Sequence, residues 1–286
     1  MSRWVLLWVL LAQAALAGTL RNKSQDALGT TLTFSMDKAP FPVRGARFQD
    51  DTVMVFVPAG WVSPKDRRVD ILLFFHGHFD NAADVLAQKR LREQLKASGR
   101  SAWIVVPQLT VRARDSSAGK LEKPGGVREL LAEVIATMRA LPRGTFDGGL
   151  SAPPLDVGTL VVAGHSGGFQ GAAFAVSAGG VPVSEVVLFD ALYGYAPRFA
   201  SWAAGDATRR LVHVYRPGPG NRKVVKWTER LRQSLRSQHV RVEDQSGGTY
   251  KRSAFRAIFL TTSAPHGDVP FAGELLAAIL ADSALR

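Results

Sequence analysis

The stretch LVVAGHSGGFQ, residues 160–170, sets an unbroken apolar run against a serine fenced by glycines. Leu160 to Ala163 carries no polar residue, as a strand buried on both faces requires. Gly164-His165-Ser166-Gly167-Gly168 then fits G-x-S-x-G, the pattern of a strand that turns sharply into a helix. The residue at the apex of such a turn holds a backbone conformation that L-residues avoid. Neighbouring Cβ atoms would also collide with the strand and the helix. Gly164 and Gly168 remove those atoms. The following helix aims its N-terminal N–H groups at the serine, where they favour developing negative charge. Taken alone, the five residues also describe an ordinary glycine-rich corner with an incidental serine, so their meaning depends on the rest of the chain.

Working outward, short apolar runs alternate with helical patterns. Strands are expected at 31–36, 53–57, 70–75, 102–106, 159–163, 185–189, 210–215 and 255–260. A helix capped by Asp80 or Asn81 is expected over 82–98, with Gly99 beyond its end. Val127, Leu130, Leu131, Val134, Ile135 and Met138 recur at helical spacing, with Pro142 and Gly144 as stops. Further helices are expected over 169–178, around Val224, Trp227, Leu231 and Leu235, and over 275–280 with Asp268 and Pro270 at its start. This alternation calls for an α/β fold: a mostly parallel sheet of about eight strands with helices on both faces. The runs 31–36 and 53–57 have no helix between them and are expected as an antiparallel edge pair. The Pro/Gly-rich stretch 142–158 reads as a loop. Residues 31–286 form one domain in this reading, and the polar, turn-rich residues 18–30 a loose lead-in.

The chain is 286 residues long, with 46% apolar and 21% charged residues, which suffices for one α/β domain with a substantial core. Residues 1–17 read as a signal peptide. A positive start at Arg3 precedes the apolar run from Trp4 to Leu11, and small residues end at Ala17, after which cleavage is expected. The apolar run is short for a membrane span of about 20 residues. The expected location is therefore periplasmic or secreted. There is no cysteine, so disulfides, thiolate nucleophiles and thiolate metal ligands are excluded. The formal net charge of +12 allows weak association with anionic membrane or cell-wall polymers, but no nucleic-acid-binding signature accompanies it. The helix around 223–237 carries Lys226, Arg230, Arg232 and Arg236 beside its apolar stripe, consistent with such a surface or with an ordinary packed surface helix.

Three other strand ends carry chemistry. Phe74-Phe75-His76-Gly77-His78-Phe79 closes the run 70–75, where a loop can aim backbone N–H groups at the neighbouring serine. The N–H of Gly167 with that of His78 or Phe79 could hold an oxyanion. His266 follows the last strand, in the order and loop position of a general base for Ser166. Asp190 ends the run Val186 to Phe189, while the loop 216–221 after the next strand holds no acid, so Asp190 is the candidate to orient His266. Asp244, at the end of a short run 240–242, is the runner-up. Gly77, His165 and Tyr193 are assigned to substrate binding, although the His165 side chain, next to the serine, is expected to turn away from the pocket. The stretch 191–205 supplies an aromatic rim, and 107–126 a basic one containing Arg112, Arg114, Lys120 and Lys123.

On Phe75-His76-Gly77, Gly164-His165-Ser166-Gly167-Gly168, Asp190 and His266, the chain resembles the α/β-hydrolase superfamily over residues 50–286. The resemblance implies a cofactor-free, metal-free Ser-Asp-His hydrolase, here expected to be carboxylesterase-like. The same apparatus would serve an amidase, peptidase or acyltransferase. A non-catalytic lipid- or cell-wall-binding protein of the same fold is the alternative from another class. One departure stands out: most members carry the acid after the seventh strand of their sheet, whereas here it follows the sixth, as in some lipases.

Overall fold

The computed structural model describes residues 18–286 apart from 46, 143 and 146–153; the expected signal peptide, residues 1–17, lies outside the described residues. Ten strands are assigned: β1 (Thr19–Asp26), β2 (Gly29–Ser35), β3 (Thr52–Pro58), β4 (Arg68–Phe75), β5 (Trp103–Pro107), β6 (Asp156–His165), β7 (Glu185–Phe189), β8 (Arg210–Tyr215), β9 (Val242–Gln245) and β10 (Ala257–Thr261). They form one sheet in the order β1-β2-β3-β5-β4-β6-β7-β8-β10-β9. β1, β2 and β3 are antiparallel to their neighbours, and β3 is antiparallel to β5. All other pairings are parallel.

The central strands read as continuous apolar runs because the sheet is covered on both faces. In β4, Ile71, Leu73 and Phe75 enter one core while Leu72 and Phe74 enter the other. In β6, Leu160 and Val162 face one way and Val161 and Ala163 the other. Successive side chains alternate across a strand, so a strand with a core on each side has no polar phase to show. On the first face lie α3 (Gly126–Ala140), α4 (Phe169–Ala178), α5 (Ala196–Ala204) and α6 (Arg222–Ser237). On the second lie α1 (Ala82–Gln88), α2 (Leu91–Ala97) and α7 (Leu275–Ala281).

Three departures from the expected elements have physical reasons. The lead-in is β1, an edge strand whose residues are all exposed, so it pairs with β2 through its backbone and shows no apolar alternation. The expected helix 82–98 is two helices. Asn81 caps the first, its side chain accepting the Asp84 amide at 2.9 Å. Arg90 then adopts a left-handed backbone (φ 52°), and buried Gln94 takes the Lys89 carbonyl at 2.9 Å. The segment before α7 forms two 3-10 turns, His266–Asp268 and Ala272–Glu274, and α7 itself starts at Leu275. With β9 also added, the strand count is ten and not about eight.

The parallel strands point their carboxyl ends the same way. The loops after β4, β6, β7, β8 and β10 therefore gather at one edge of the sheet. Ser166, Asp190 and His266 lie on three of them, and Gly77, His78 and Phe79 on a fourth, whereas Asp244 does not.

Candidate active site

β6 ends at His165, and Ser166 follows with a φ of 50°. A 3-10 turn over Ser166–Gly168 leads directly into α4. The turn is possible only because Gly168 has no side chain: a Cβ there would lie 2.2 Å from the Phe75 carbonyl oxygen at the end of β4. Gly77 also approaches closely, since its Cβ would lie 2.9 Å from that of Ser166. The tip of β4 and the turn after β6 are thus pressed together backbone against backbone.

His266 reaches this turn from the loop after β10. Its Nε2 lies 2.9 Å from Ser166 Oγ, and its Nδ1 lies 2.7 Å from Asp190 Oδ2. Asp190 closes β7 with a φ of 46°, and its side chain is fully buried. Burial works against its charge. Hydrogen bonds from His266, the Arg216 amide and Asn221 outweigh that effect and hold the carboxyl below its usual range. Asn221 Nδ2 donates to Oδ1 at 2.6 Å and the Arg216 amide at 3.3 Å, while Arg216 Nε stands 3.4 Å from Oδ2. With the carboxylate ionised, His266 donates from Nδ1 and Nε2 is left to accept the serine proton.

The neighbouring residues brace this line. His165 is buried, its Nε2 2.9 Å from the His266 carbonyl and its ring centre 4.9 Å from that of His266. Burial, and next the His266 charge, push its imidazole down to about 3, so it is neutral and Nε2–H donates. His165 therefore supports the His266 loop, its side chain turned to that loop, and nothing in this geometry gives it the substrate-binding role assigned above. Lys89 donates to the Gly267 carbonyl at 2.7 Å and fixes the other side of the same loop. His76 is buried too and accepts the Leu109 amide at 2.9 Å, which ties the β4 loop to the β5 loop.

Of the two alternatives for a second oxyanion donor, Phe79 fails. Its amide donates to the Ala113 carbonyl at 3.1 Å and is spent. The His78 amide borders Gly167, where an added Cβ would lie 3.2 Å from it, and His78 Nε2 bonds Ser116 Oγ at 2.7 Å. The Phe79 side chain is 64% exposed on the rim. Tyr193 packs against Phe169 at the start of α4, ring centres 5.9 Å apart, and burial, followed by the Asp190 charge, pushes its phenol up to about 12, so it keeps its proton. Asp244 lies on edge strand β9, exposed and paired with Arg232, remote from this group.

No protein-family model matches the sequence, and no curated protein matches it. Solved structures do match its fold. A ferulic acid esterase aligns with a TM-score of 0.54 at 11% identity, over 93% of this chain and 98% of the other. The fluorophosphonate-binding serine hydrolase F of Staphylococcus aureus aligns at 0.54 and 8% identity, over 93% and 100%. The feruloyl esterase module from Clostridium thermocellum aligns at 0.52 and 12% identity, over 93% and 88%. The chain has the α/β-hydrolase fold. At these identities the likeness is one of architecture, and the site must be argued from its own residues.

Within this α/β-hydrolase fold Asp190 follows β7, and the loop after β8 supplies its partners Asn221 and Arg216. Neither partner is marked in the sequence, where the loop 216–221 shows only the lack of an acid. Adjacency of β7 and β8 was the available signal: loops leaving neighbouring parallel strands meet at their carboxyl ends.

Proposed function

We propose that the chain is a serine hydrolase, carboxylesterase-like, that cleaves an ester through an acyl-enzyme on Ser166. The observation that carries this reading is the unbroken hydrogen-bonded line from Ser166 Oγ through His266 to buried Asp190. His266 Nε2 takes the serine proton as Oγ attacks the carbonyl carbon. Asp190 holds the imidazole in the tautomer with its proton on Nδ1 and stabilises the imidazolium that forms. The N–H groups of Gly167 and His78 receive the oxyanion of the tetrahedral intermediate. On its collapse His266 returns the proton to the leaving alcohol. Water then attacks the acyl group, with His266 again as base, and Ser166 is regenerated. Tyr193 lines the pocket beside the nucleophile, and Gly77 admits the substrate by keeping the approach to Ser166 clear. The proposal includes export, supported by the leader-like residues 1–17.

The test is labelling of the purified mature protein with a fluorophosphonate probe, with mass mapping of the adduct. A single adduct on Ser166, absent from Ser166→Ala, together with turnover of para-nitrophenyl esters, is the expected outcome. A folded protein that neither labels nor hydrolyses any ester would overturn the proposal.

A further inference from the structure

The two N–H groups assigned to the oxyanion stand on different loops, Gly167 on the turn after β6 and His78 on the loop after β4. Neither loop alone fixes their separation. The loop after β5, residues 108–122, touches both. Ser116 Oγ lies 2.7 Å from His78 Nε2, and the Ala113 carbonyl accepts the amide of the next residue, Phe79, at 3.1 Å. The same loop ends in a 3-10 turn, Gly119–Glu122, where Glu122 Oε1 accepts from Gln170 Nε2 at 2.8 Å. Gln170 belongs to the first turn of α4, directly behind the nucleophile turn.

The His78 ring fills the space that the missing Gly167 side chain leaves. A Cβ on Gly167 would lie 2.5 Å from His78 Cδ2 and 2.9 Å from its Nε2. The ring is thus held between Gly167 on one side and the Ser116 hydroxyl on the other. Among the described residues Ser116 is its one hydrogen-bond partner. Phe79 follows with a φ of 61°, a left-handed backbone that phenylalanine avoids. Such a backbone persists only where its surroundings over-determine it. Here one loop grips the His78 ring and the Phe79 amide together. That loop is itself firm: Thr110 Oγ1 donates to the Asp115 carbonyl at 2.6 Å, and Leu109, Ala118 and Leu121 are buried in the core.

We propose that Ser116 is a positioning residue for the oxyanion hole: its hydroxyl holds the His78 ring against Gly167 and so keeps the His78 amide aimed at the same point as that of Gly167. The proposal rests on the serine-hydrolase reading of Ser166 and adds to it a residue that acts through His78 alone. The oxyanion exists only in the tetrahedral intermediate and the transition states beside it. A slack donor therefore lowers kcat and leaves KM nearly unchanged. Removing a donor outright costs about 10²–10³ in kcat, and loosening one that is still present is expected to cost about tenfold.

Ser116→Ala, assayed with para-nitrophenyl hexanoate, is expected to lower kcat about tenfold with KM within about twofold of wild type. Ser116→Thr keeps the hydroxyl and should recover most of the loss. Ser117→Ala removes the adjacent hydroxyl of the same loop and should leave kcat as it is. A trifluoromethyl ketone reports on the hole directly. Ser166 Oγ adds to its carbonyl carbon, the Oγ proton passes to His266 Nε2, and the carbonyl oxygen becomes an oxyanion facing the two N–H groups. Its inhibition constant should rise in Ser116→Ala by the factor that kcat/KM falls, while that of the corresponding secondary alcohol, which forms no oxyanion, stays unchanged. His78→Phe keeps a ring beside Gly167 but cannot bond Ser116. It should match Ser116→Ala, and the double variant should be no worse than either. Should Ser116→Ala fail to fold, His78→Phe and the ketone decide alone. An unchanged kcat, an equal loss in Ser117→Ala, a ketone constant that does not follow kcat/KM, or losses that multiply in the double variant overturns the role of Ser116 while leaving the hydrolase reading intact. A folded wild type with neither ester turnover nor fluorophosphonate labelling overturns both.

Discussion

Replacing Ser166 by glycine should stabilise the protein relative to replacing it by alanine, the reverse of the usual ranking. Both changes remove the hydroxyl and its bond to His266. They differ in the Cβ that alanine retains at a φ of 50°. A left-handed backbone costs an L-residue about 1–2 kcal/mol. Glycine escapes that cost but loses about 0.4–1 kcal/mol through the greater freedom of its unfolded chain. The difference favours glycine by about 0.5–1 kcal/mol, which for a domain of this size is a melting temperature higher by about 1–4 °C. Thermal unfolding followed by circular dichroism, backed by urea midpoints at constant slope, measures it. The wild-type hydroxyl is absent from both proteins, so catalysis does not enter the comparison. If the glycine variant melts at or below the alanine variant, the turn stores no backbone strain and the argument from the geometry of Ser166 fails.

The remaining expectations concern the same edge of the sheet. Asp190→Asn should lower kcat/KM by about ten-thousandfold, by analogy with other triad acids, whereas Asp244→Asn on exposed β9 should leave it nearly unchanged; the reverse pattern in ester assays would transfer the role to Asp244. Gly168→Ala forces a Cβ against the Phe75 carbonyl, so it should cost about 1–3 kcal/mol in denaturant titrations and abolish probe labelling by displacing the turn. Stability should also fall as pH drops below about 6.5, the ordinary histidine value. Burial holds His76 and His213 down to about 4 and His165 to about 3. Between those values and 6.5 the unfolded chain binds protons that the folded chain refuses. Each histidine then removes up to about 1.4 kcal/mol per pH unit. Asp190 acts in the same direction at lower pH: its depressed carboxyl stabilises the fold above the unfolded value and stops doing so as pH falls through the folded one. Urea titrations at about pH 7, 6 and 5, chosen to bracket the histidine range, with equal midpoints would contradict this.

The sequence by itself determined the architecture, because the signals it needed are local. Unbroken apolar runs at β4, β6 and β7 mark strands buried on two faces, and the recurrence of Val127, Leu130, Leu131 and Val134 marks a helix resting on them. The turn at Ser166 was legible for the same reason, since its glycines answer to atoms only a few residues away or on the adjoining strand. What is held together by backbone alone left no trace: β1 shows no apolar phase because none of its residues is buried. The break at Arg90 was equally silent, because it depends on Gln94 reaching the Lys89 carbonyl. Tertiary structure decided which groups are available and which are already spent. Phe79 and His78 are equivalent in the sequence, and only the fold commits the Phe79 amide to Ala113 and the His165 ring to the His266 carbonyl. Asn221 became a partner of Asp190 across 31 residues of chain. A hydrogen-bonding group has one use at a time, and only the folded backbone says who claims it.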